Sequence, residues 1–138
     1  MTESKQIVVR TWLIKAAHDL SSARILARAE EPLLDTAIYH CQQAGEKAVK
    51  AFLVFHDVRF EKTHDIEELV EIAAGVDKRV AACLEAAKCL SPYASEFRYP
   101  GELVEPDVPE FEEALRKAEQ LYQFVLTLLP REAHPTKG

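Results

Sequence analysis

Apolar residues recur every three or four positions along most of the chain, which is the spacing of a helix with one buried face. Strand-like alternation of apolar and polar residues is scarce, and the whole sequence contains only four glycines. The pattern divides the chain into five predicted helices, which cover Val8 to Ala29, Leu33 to His56, Thr63 or Asp65 to Gly75, Lys78 to Phe97, and Glu110 to Leu129.

Two of the predicted helices have recognisable starts. Asp65 with Glu68, and Asp107 with Glu110, have the spacing of a capping box, in which the first side chain accepts a hydrogen bond from the N–H three residues later. Both starts support the helix boundaries given by the apolar pattern.

Prolines and glycines mark the interruptions. Pro32 separates the first two helices, Pro92 predicts a kink or short break in the fourth, and Pro130 ends the fifth. The segment from Arg98 to Pro109 contains three prolines and is predicted to be a loop. The tail from Arg131 to Gly138 is predicted to be disordered.

These elements predict an all-α fold, an up-and-down antiparallel bundle of about five helices. Two long helices joined by a short turn pack against each other, and the later helices cover them. At 138 residues the chain is expected to form a single domain, residues 1–138, with its core at about 8–129.

Charge and hydropathy narrow the range of partners. The net charge of −6 opposes binding to RNA or to an anionic membrane surface, so neither is expected as a partner. No apolar run is long enough to span a bilayer, and the polar start from Met1 to Gln6 does not suit a signal peptide. We therefore expect a cytoplasmic protein.

Cofactor and metal chemistry are not expected. Cys41, Cys83 and Cys89 are odd in number and widely spaced, so they are interpreted as reduced core thiols. Neither His-x-x-x-His nor Cys-x-x-Cys occurs, and no glycine-rich phosphate loop is present.

Polar residues cluster at three places where a plain helical core would not require them. One cluster lies within the second helix, and the others lie near helix ends. They are Gln42, Gln43, Glu46, Lys47 and Lys50; Lys62-Thr63-His64-Asp65; and Phe97-Arg98-Tyr99-Pro100-Gly101.

These clusters resemble motifs of the HEPN family (higher eukaryotes and prokaryotes nucleotide-binding). The run from Trp12 to Leu20 is similar to the family's opening, an aromatic residue followed by Ala-x-x-Asp-Leu, and the run from Gln42 to Ala48 is similar to its Gln-Gln-Ala-x-Glu-Lys. The runs Lys62 to Asp65 and Arg98 to Pro100 resemble the Lys-Thr-His-Asp and Arg-Tyr-Pro of the branch associated with nucleotidyltransferases. The resemblance extends from about Trp12 to Leu129 and implies a helical bundle.

Many members of this family are metal-independent ribonucleases that use an Arg and a His four to six residues apart. Counted from Arg98, that His would stand at Leu103, Val104 or Glu105, and none of the three is histidine. These side chains cannot perform the proton transfer that an imidazole performs near neutral pH. The resemblance therefore favours a protein that is not an enzyme.

One other Arg–His pair has that spacing, Arg59 with His64. Arg59 falls in the loop after the second helix, outside the family's catalytic position. A HEPN ribonuclease toxin that uses Arg59 and His64 is retained as the alternative function, and a helical scaffold without a ligand is a third.

The leading hypothesis from the resemblance is a nucleotide-binding or partner-binding module. It would be a homodimer and the non-catalytic partner of a separately encoded minimal nucleotidyltransferase, as in a two-gene toxin–antitoxin system. The residues expected to bind a ligand are Gln43, Glu46, Lys47, Lys50, Lys62, His64, Asp65, Arg98 and Tyr99.

A structural interpretation exists beside the functional one for each group. Glu46 and Lys50 can be a solvated surface ion pair, and Asp65 can simply cap the third helix. Arg98 can form an internal salt bridge rather than hold a phosphate. Which interpretation applies depends on burial and on the partners that folding supplies.

Overall fold

The computed structural model describes residues 1–100 and 104–136. Within those ranges every regular element is helical, which confirms the all-α prediction. The α-helices are α1 (Glu3–Arg28), α2 (Leu34–Phe55), α3 (Ile66–Val76), α4 (Leu84–Leu90) and α5 (Val108–Thr127). Short 3₁₀ helices cover Lys78–Cys83, Ser91–Ala94 and Arg131–Ala133. No helix in the described part of the chain is long and apolar enough to cross a membrane.

Helices α1 and α2 form an antiparallel hairpin, with hydrogen bonds between the two helices or their flanking residues at both ends. At one end the Lys5 amine lies 3.0 Å from the Phe55 carbonyl and 2.6 Å from the Asp57 carboxylate. At the other end the Leu33 N–H donates to the Leu26 carbonyl at 3.1 Å. The predicted pairing of the two long helices is therefore present.

Helix α2 lies at the centre of the bundle, because it packs against α1, α3, α4 and α5. Its residue Gly45 shows how tightly: a Cβ at this position would lie 2.8 Å from Ile66 Cδ1 and 2.9 Å from Leu90 Cδ1. Only a residue without a side chain lets α3 and α4 approach this closely.

The helix starts follow from their caps. Helix α1 begins five residues earlier than predicted, because the Thr2 hydroxyl accepts the Lys5 N–H at 3.2 Å and provides an N-cap. Asp107 accepts the Glu110 N–H at 2.8 Å, so α5 starts at its predicted cap, although its first helical residue is Val108 rather than Glu110.

The prediction of one helix from Lys78 to Phe97 is wrong. The segment is divided into a 3₁₀ turn, the short α4 and a second 3₁₀ turn that carries Pro92 near its start. Proline lacks an N–H and prevents a continuous ladder, so the break predicted there is present. Gly75 does not stop α3, which continues to Val76.

The prediction of a disordered tail is wrong for residues 131–136. Ala133 is fully buried, the Gln6 side chain donates to the Glu132 carbonyl at 2.6 Å, and His134 Nε2 lies 2.8 Å from the Leu126 carbonyl. The tail thus folds back onto the C-terminal end of α5. Residues 137–138 lie outside the described part.

Candidate functional site

The polar residues of α2 point into the bundle, which the sequence did not predict. Gln42, Gln43, Glu46 and Lys50 are all at least nine-tenths buried, and only Lys47 of the five is partly exposed. The expectation that Gln43, Glu46 and Lys50 lie on an exposed polar face is therefore wrong, as is the alternative that Glu46 and Lys50 form a solvated pair.

Glu46 is the centre of the first buried network. Its carboxylate lies 2.9 Å from the Lys50 amine and 3.0 Å from His64 Nδ1, and it accepts a hydrogen bond from the Gln42 amide at 3.1 Å. Gln42 also donates to the His64 carbonyl at 3.1 Å, and Gln43 donates to Gln42 at 2.7 Å. No buried side-chain nitrogen or oxygen of the cluster lacks a hydrogen-bond partner, so the network holds the loop before α3 onto α2.

Lys50 is not free to face an anion. Besides the Glu46 carboxylate, its amine lies 5.5 Å from the Trp12 ring centre and 5.8 Å from the Phe60 ring centre. The amine therefore lies between a carboxylate of α2, an aromatic ring of α1 and an aromatic ring of the loop after α2.

Asp19 is the centre of a second network, between α1 and α2. The residue is 7% exposed, and its carboxylate lies 2.7 Å from His40 Nδ1 and 2.7 Å from the Lys47 amine. Lys47 is thus engaged with a carboxylate as well. Asp19 belongs to the Ala-x-x-Asp-Leu run, and the available signal was an acidic residue within the apolar stripe of α1.

The loop residues differ in what they do. Asp65 is the N-cap of α3 and accepts the Glu68 N–H at 3.2 Å, as its structural interpretation predicted. Lys62 is exposed, and the His64 ring is 65% exposed although its Nδ1 is bound to Glu46. Arg59 is exposed and forms no hydrogen bond with His64, so folding does not join the two into a pair.

Arg98 lies in a different place, over the start of α2. Its guanidinium carbon is 4.0 Å from the centre of the Tyr39 ring, and its NH1 group donates to the Ala94 carbonyl at 3.1 Å. Within residues 1–100 and 104–136 it forms no salt bridge, so the internal ion pair considered from the sequence does not occur there.

Phe97 directs Arg98 to this position. Its φ of 64° is in the left-handed region, which a bulky residue rarely adopts. Its ring stacks on Tyr93 with ring centres 6.2 Å apart, and the Tyr93 hydroxyl donates to Glu110 at 2.6 Å. Packing therefore imposes the turn that folds the chain back over Tyr39.

Two adjoining hollows flank Arg98, and together they are termed the Arg98 cleft. One, of about 390 Å³, is lined by Asp35, Thr36, Tyr39, His40, Phe97 and Arg98. The other, of about 520 Å³, shares Asp35, Phe97 and Arg98 and adds Tyr99, Pro100, Val104 and Glu105. Tyr99 is 75% exposed at its edge.

The described residues that line the cleft provide one cation, two carboxylates, aromatic rings and one imidazole. Of the nine residues expected to bind a ligand, only Arg98 and Tyr99 line it. Sequence reasoning missed Asp35, Tyr39 and His40, which become neighbours of Arg98 only through folding. Among the described residues no cluster of His, Cys, Asp or Glu is arranged to hold a metal ion.

Two of the three cysteines lie in the core as expected from the sequence. Cys41 and Cys83 are buried, whereas Cys89 is only half-buried. Burial raises the pKa of the Cys41 thiol to about 12 and that of Cys83 to about 11, so both stay protonated near neutral pH.

Comparison with known proteins is consistent with the bundle. Residues 9–129 match the model of the HEPN domain. The crystal structure of TT1696 from Thermus thermophilus is 30% identical, covers 88% of this chain and 98% of its own, and superposes with a TM-score of 0.72. The crystal structure of ST0689, an archaeal HEPN homologue, is 24% identical, with coverage of 87% and 96% and a TM-score of 0.65. No curated protein matches.

Proposed function

Because this chain belongs to the HEPN domain family, we propose that it is a nucleotide-binding module in which Arg98 holds the phosphate of the ligand. The family match establishes the domain, and the function assigned here comes from the chemistry of the Arg98 cleft. The proposal names a binding role without catalysis.

The observation that supports the proposal is that the Arg98 guanidinium is exposed and has N–H donors available. The guanidinium contacts the Tyr39 ring. Within residues 1–100 and 104–136 it makes one hydrogen bond, to the Ala94 carbonyl, which leaves most of its five N–H donors open there. A guanidinium presents two parallel donors that fit the oxygens of a phosphate. Tyr39 fixes this geometry without neutralising the charge, which a carboxylate partner would do.

The size and charge of the cleft favour a small ligand over a long polyanion. Its two hollows of about 390 and 520 Å³ are within the range of roughly 300–1,000 Å³ typical of small-molecule sites. Asp35 and Glu105 line it, and the chain carries a net charge of −6. Successive phosphates of a nucleic acid would be repelled by these carboxylates.

Arg98→Ala tests the proposal directly. Binding of nucleoside 5′-monophosphates, measured by titration calorimetry, is expected to weaken by about 1.5–3 kcal/mol, the range for charge-assisted hydrogen bonds. Arg98→Lys keeps the charge without the paired donors and is expected to lie in between. The control is Arg28→Ala, which removes an exposed arginine at the end of α1. Unchanged affinity in folded Arg98→Ala protein would refute the site.

The proposal includes a homodimer. Ile7 and Val8 are 53% and 45% exposed on α1, and with Thr11, Trp12 and Lys15 they line an apolar groove of about 280 Å³. Exposed apolar surface of this kind is commonly covered by a second subunit, and a pair of equal faces closes with two-fold symmetry.

The proposed protein partner is a minimal nucleotidyltransferase encoded by a neighbouring gene. The support is the resemblance of Lys62 to Asp65 and of Arg98 to Pro100 to the branch associated with such enzymes. Co-expression with the product of an adjacent reading frame that carries paired aspartates tests this. Separate elution of the two proteins at micromolar concentration would count against the pairing, and the Arg98 site would be unaffected.

A ribonuclease that uses Arg59 and His64 has no favourable observation in the described structure. Arg59 makes no hydrogen bond with His64, and His64 Nδ1 is bound to Glu46 at 3.0 Å. We expect the purified protein to leave RNA intact. Cleavage that disappears in both Arg59→Ala and His64→Ala, with the fold retained, would favour the ribonuclease instead.

A further inference from the structure

His40 lines the same cleft as Arg98. The orientation of its ring is fixed by Asp19, which binds the ring edge that faces away from the cleft. Its Nδ1 lies 2.7 Å from the carboxylate of Asp19, which is buried and also bound to Lys47. An ionised carboxylate only accepts hydrogen bonds, so Nδ1 carries the hydrogen. In the neutral tautomer that carries its hydrogen on Nδ1, the other ring nitrogen, Nε2, presents a lone pair.

The Nε2 atom is accessible. It has no hydrogen-bond partner within residues 1–100 and 104–136, yet no buried side-chain nitrogen or oxygen in that part of the protein lacks a partner. Nε2 is therefore in contact with solvent, and the His40 ring lines the smaller hollow beside Tyr39 and Arg98.

A second acceptor lies in the same hollow. Asp35 uses one carboxylate oxygen to accept the N–H of Thr36 at 2.8 Å, and its other oxygen makes no hydrogen bond in the described structure. The cleft thus offers guanidinium donors from Arg98 and acceptors from His40 and Asp35. A complementary ligand has an anionic group and hydroxyl donors within one small molecule.

A ribonucleoside 5′-monophosphate meets this requirement, because its phosphate and its two ribose hydroxyls are joined through the same sugar. We propose that the Arg98 cleft selects ribonucleotides over deoxyribonucleotides, and that His40 Nε2 accepts a hydrogen bond from a ribose hydroxyl. This inference rests on the proposed function and specifies its ligand class. Asp19 is a positioning residue, since it acts only through the His40 ring.

The carboxylates that line the cleft favour a mononucleotide over RNA as the ligand. Asp35 can accept a hydroxyl hydrogen but repels a phosphate, and Glu105 lies along the larger hollow. A mononucleotide places its single phosphate at Arg98, whereas an RNA strand brings further phosphates to the acidic rim.

The test compares each ribonucleoside 5′-monophosphate with its 2′-deoxy and 3′-deoxy analogues by titration calorimetry on the full chain. For the wild type, at least one deoxy analogue is expected to bind roughly 10-fold more weakly than the ribonucleotide, the size of one lost hydrogen bond to a polar group. In His40→Ala that difference is expected to disappear. The matched control is His18→Ala, which removes an exposed histidine of α1 and leaves the difference intact.

A second measurement needs no substitution. The ¹⁵N resonance of His40 Nε2 is expected to shift on titration with the preferred ribonucleotide and to stay in place with the analogue that lacks the recognised hydroxyl. In Asp19→Asn protein that remains folded, the preference for ribose is expected to fall because the ring loses its fixed orientation.

The outcomes separate the two proposals. Binding that depends on Arg98 but treats ribo- and deoxyribonucleotides alike would overturn the inference and leave the phosphate site standing. Nucleotide affinity that is absent, or indifferent to Arg98→Ala, would overturn the proposed function and this inference with it. Binding of a single-stranded RNA oligomer that depends on Arg98 and is tighter than any mononucleotide would overturn the ligand class.

Discussion

The carboxylate of Glu46 lies 2.9 Å from the Lys50 amine inside the bundle, where the two side chains are 3% and 7% exposed. The same two residues lie four apart on one helix, which on a surface would make them an ordinary exposed pair. Burial changes their role, because each charge now depends on the other for its solvation.

Lys50→Met is therefore expected to lower the free energy of unfolding by about 3–5 kcal/mol, the cost of leaving one buried charge uncompensated. Urea unfolding followed by circular dichroism measures it. Arg116→Ala is the control, because it breaks an exposed ion pair with Glu113 and should cost at most about 1 kcal/mol. Equal effects of the two substitutions would mean that Gln42 and His64 suffice to stabilise Glu46.

Substitution of Gly45 and of Gly75 by alanine compares a tightly packed glycine with one that has open space around it. Gly45→Ala is expected to destabilise by roughly 1–3 kcal/mol, because the new methyl meets Ile66 and Leu90, both fully buried. Gly75→Ala has open space at its Cβ and is expected to stabilise by up to about 1 kcal/mol through helix propensity.

Thermal unfolding of Gly45→Ala and Gly75→Ala measures the difference between their effects on stability. In the Gly45→Ala background, Ile66→Val removes the nearer clashing methyl and should recover part of the loss. A stabilised Gly45→Ala protein would show that the close approach of α3 to α2 is not a packing constraint.

Asp65→Ala is expected to lower stability by about 1 kcal/mol through loss of the α3 N-cap. Asp107→Ala provides the comparison, since it removes the equivalent cap of α5 and should cost a similar amount. Nucleotide affinity per folded molecule is expected to be unchanged in both. A selective loss of affinity in Asp65→Ala would restore this residue to the binding site.

Because the Cys41 thiol is buried, we expect the protein to lose stability at alkaline pH. Burial raises the pKa of its thiol from 9.0 to about 12, so in the unfolded chain the thiol ionises at lower pH than in the folded protein. Its contribution to the free energy of unfolding is complete below pH 9.0 and is lost as pH rises toward about 12.

Alkylation by iodoacetamide, followed by mass spectrometry, gives an independent measure. In the native protein Cys41 is expected to resist modification and half-buried Cys89 to react first, whereas in urea both react. Rapid native labelling of Cys41 would contradict its burial.

Val8→Glu is expected to convert the proposed homodimer into a monomer, because it places a charge in the apolar groove of α1. Light scattering measures the mass. The control is Ile25→Glu, at an exposed apolar position far along the same helix and outside the groove. A dimer that survives Val8→Glu but not Ile25→Glu would place the interface elsewhere, and a wild-type monomer would exclude the dimer.

The sequence by itself determined the helices and several of their ends. The apolar repeat located α1, α2, α3 and α5. The spacing of Asp65 and Asp107 from the N–H groups that donate to them, three residues later, identified two caps. These features depend on contacts between residues at most four positions apart, which the order of residues specifies directly. The resemblance to the family was likewise readable from short motifs, and the match over residues 9–129 confirms it.

Only the tertiary structure decided which polar side chains are buried against partners and which remain exposed. His40 and Lys47 meet Asp19 across 21 and 28 positions, and Arg98 reaches Tyr39 because Phe97 turns the chain back. Helical periodicity gives the angle at which a side chain leaves its own helix but not what another helix places against it. For that reason Glu46 and Lys50 became part of the core, while Arg98 remained exposed.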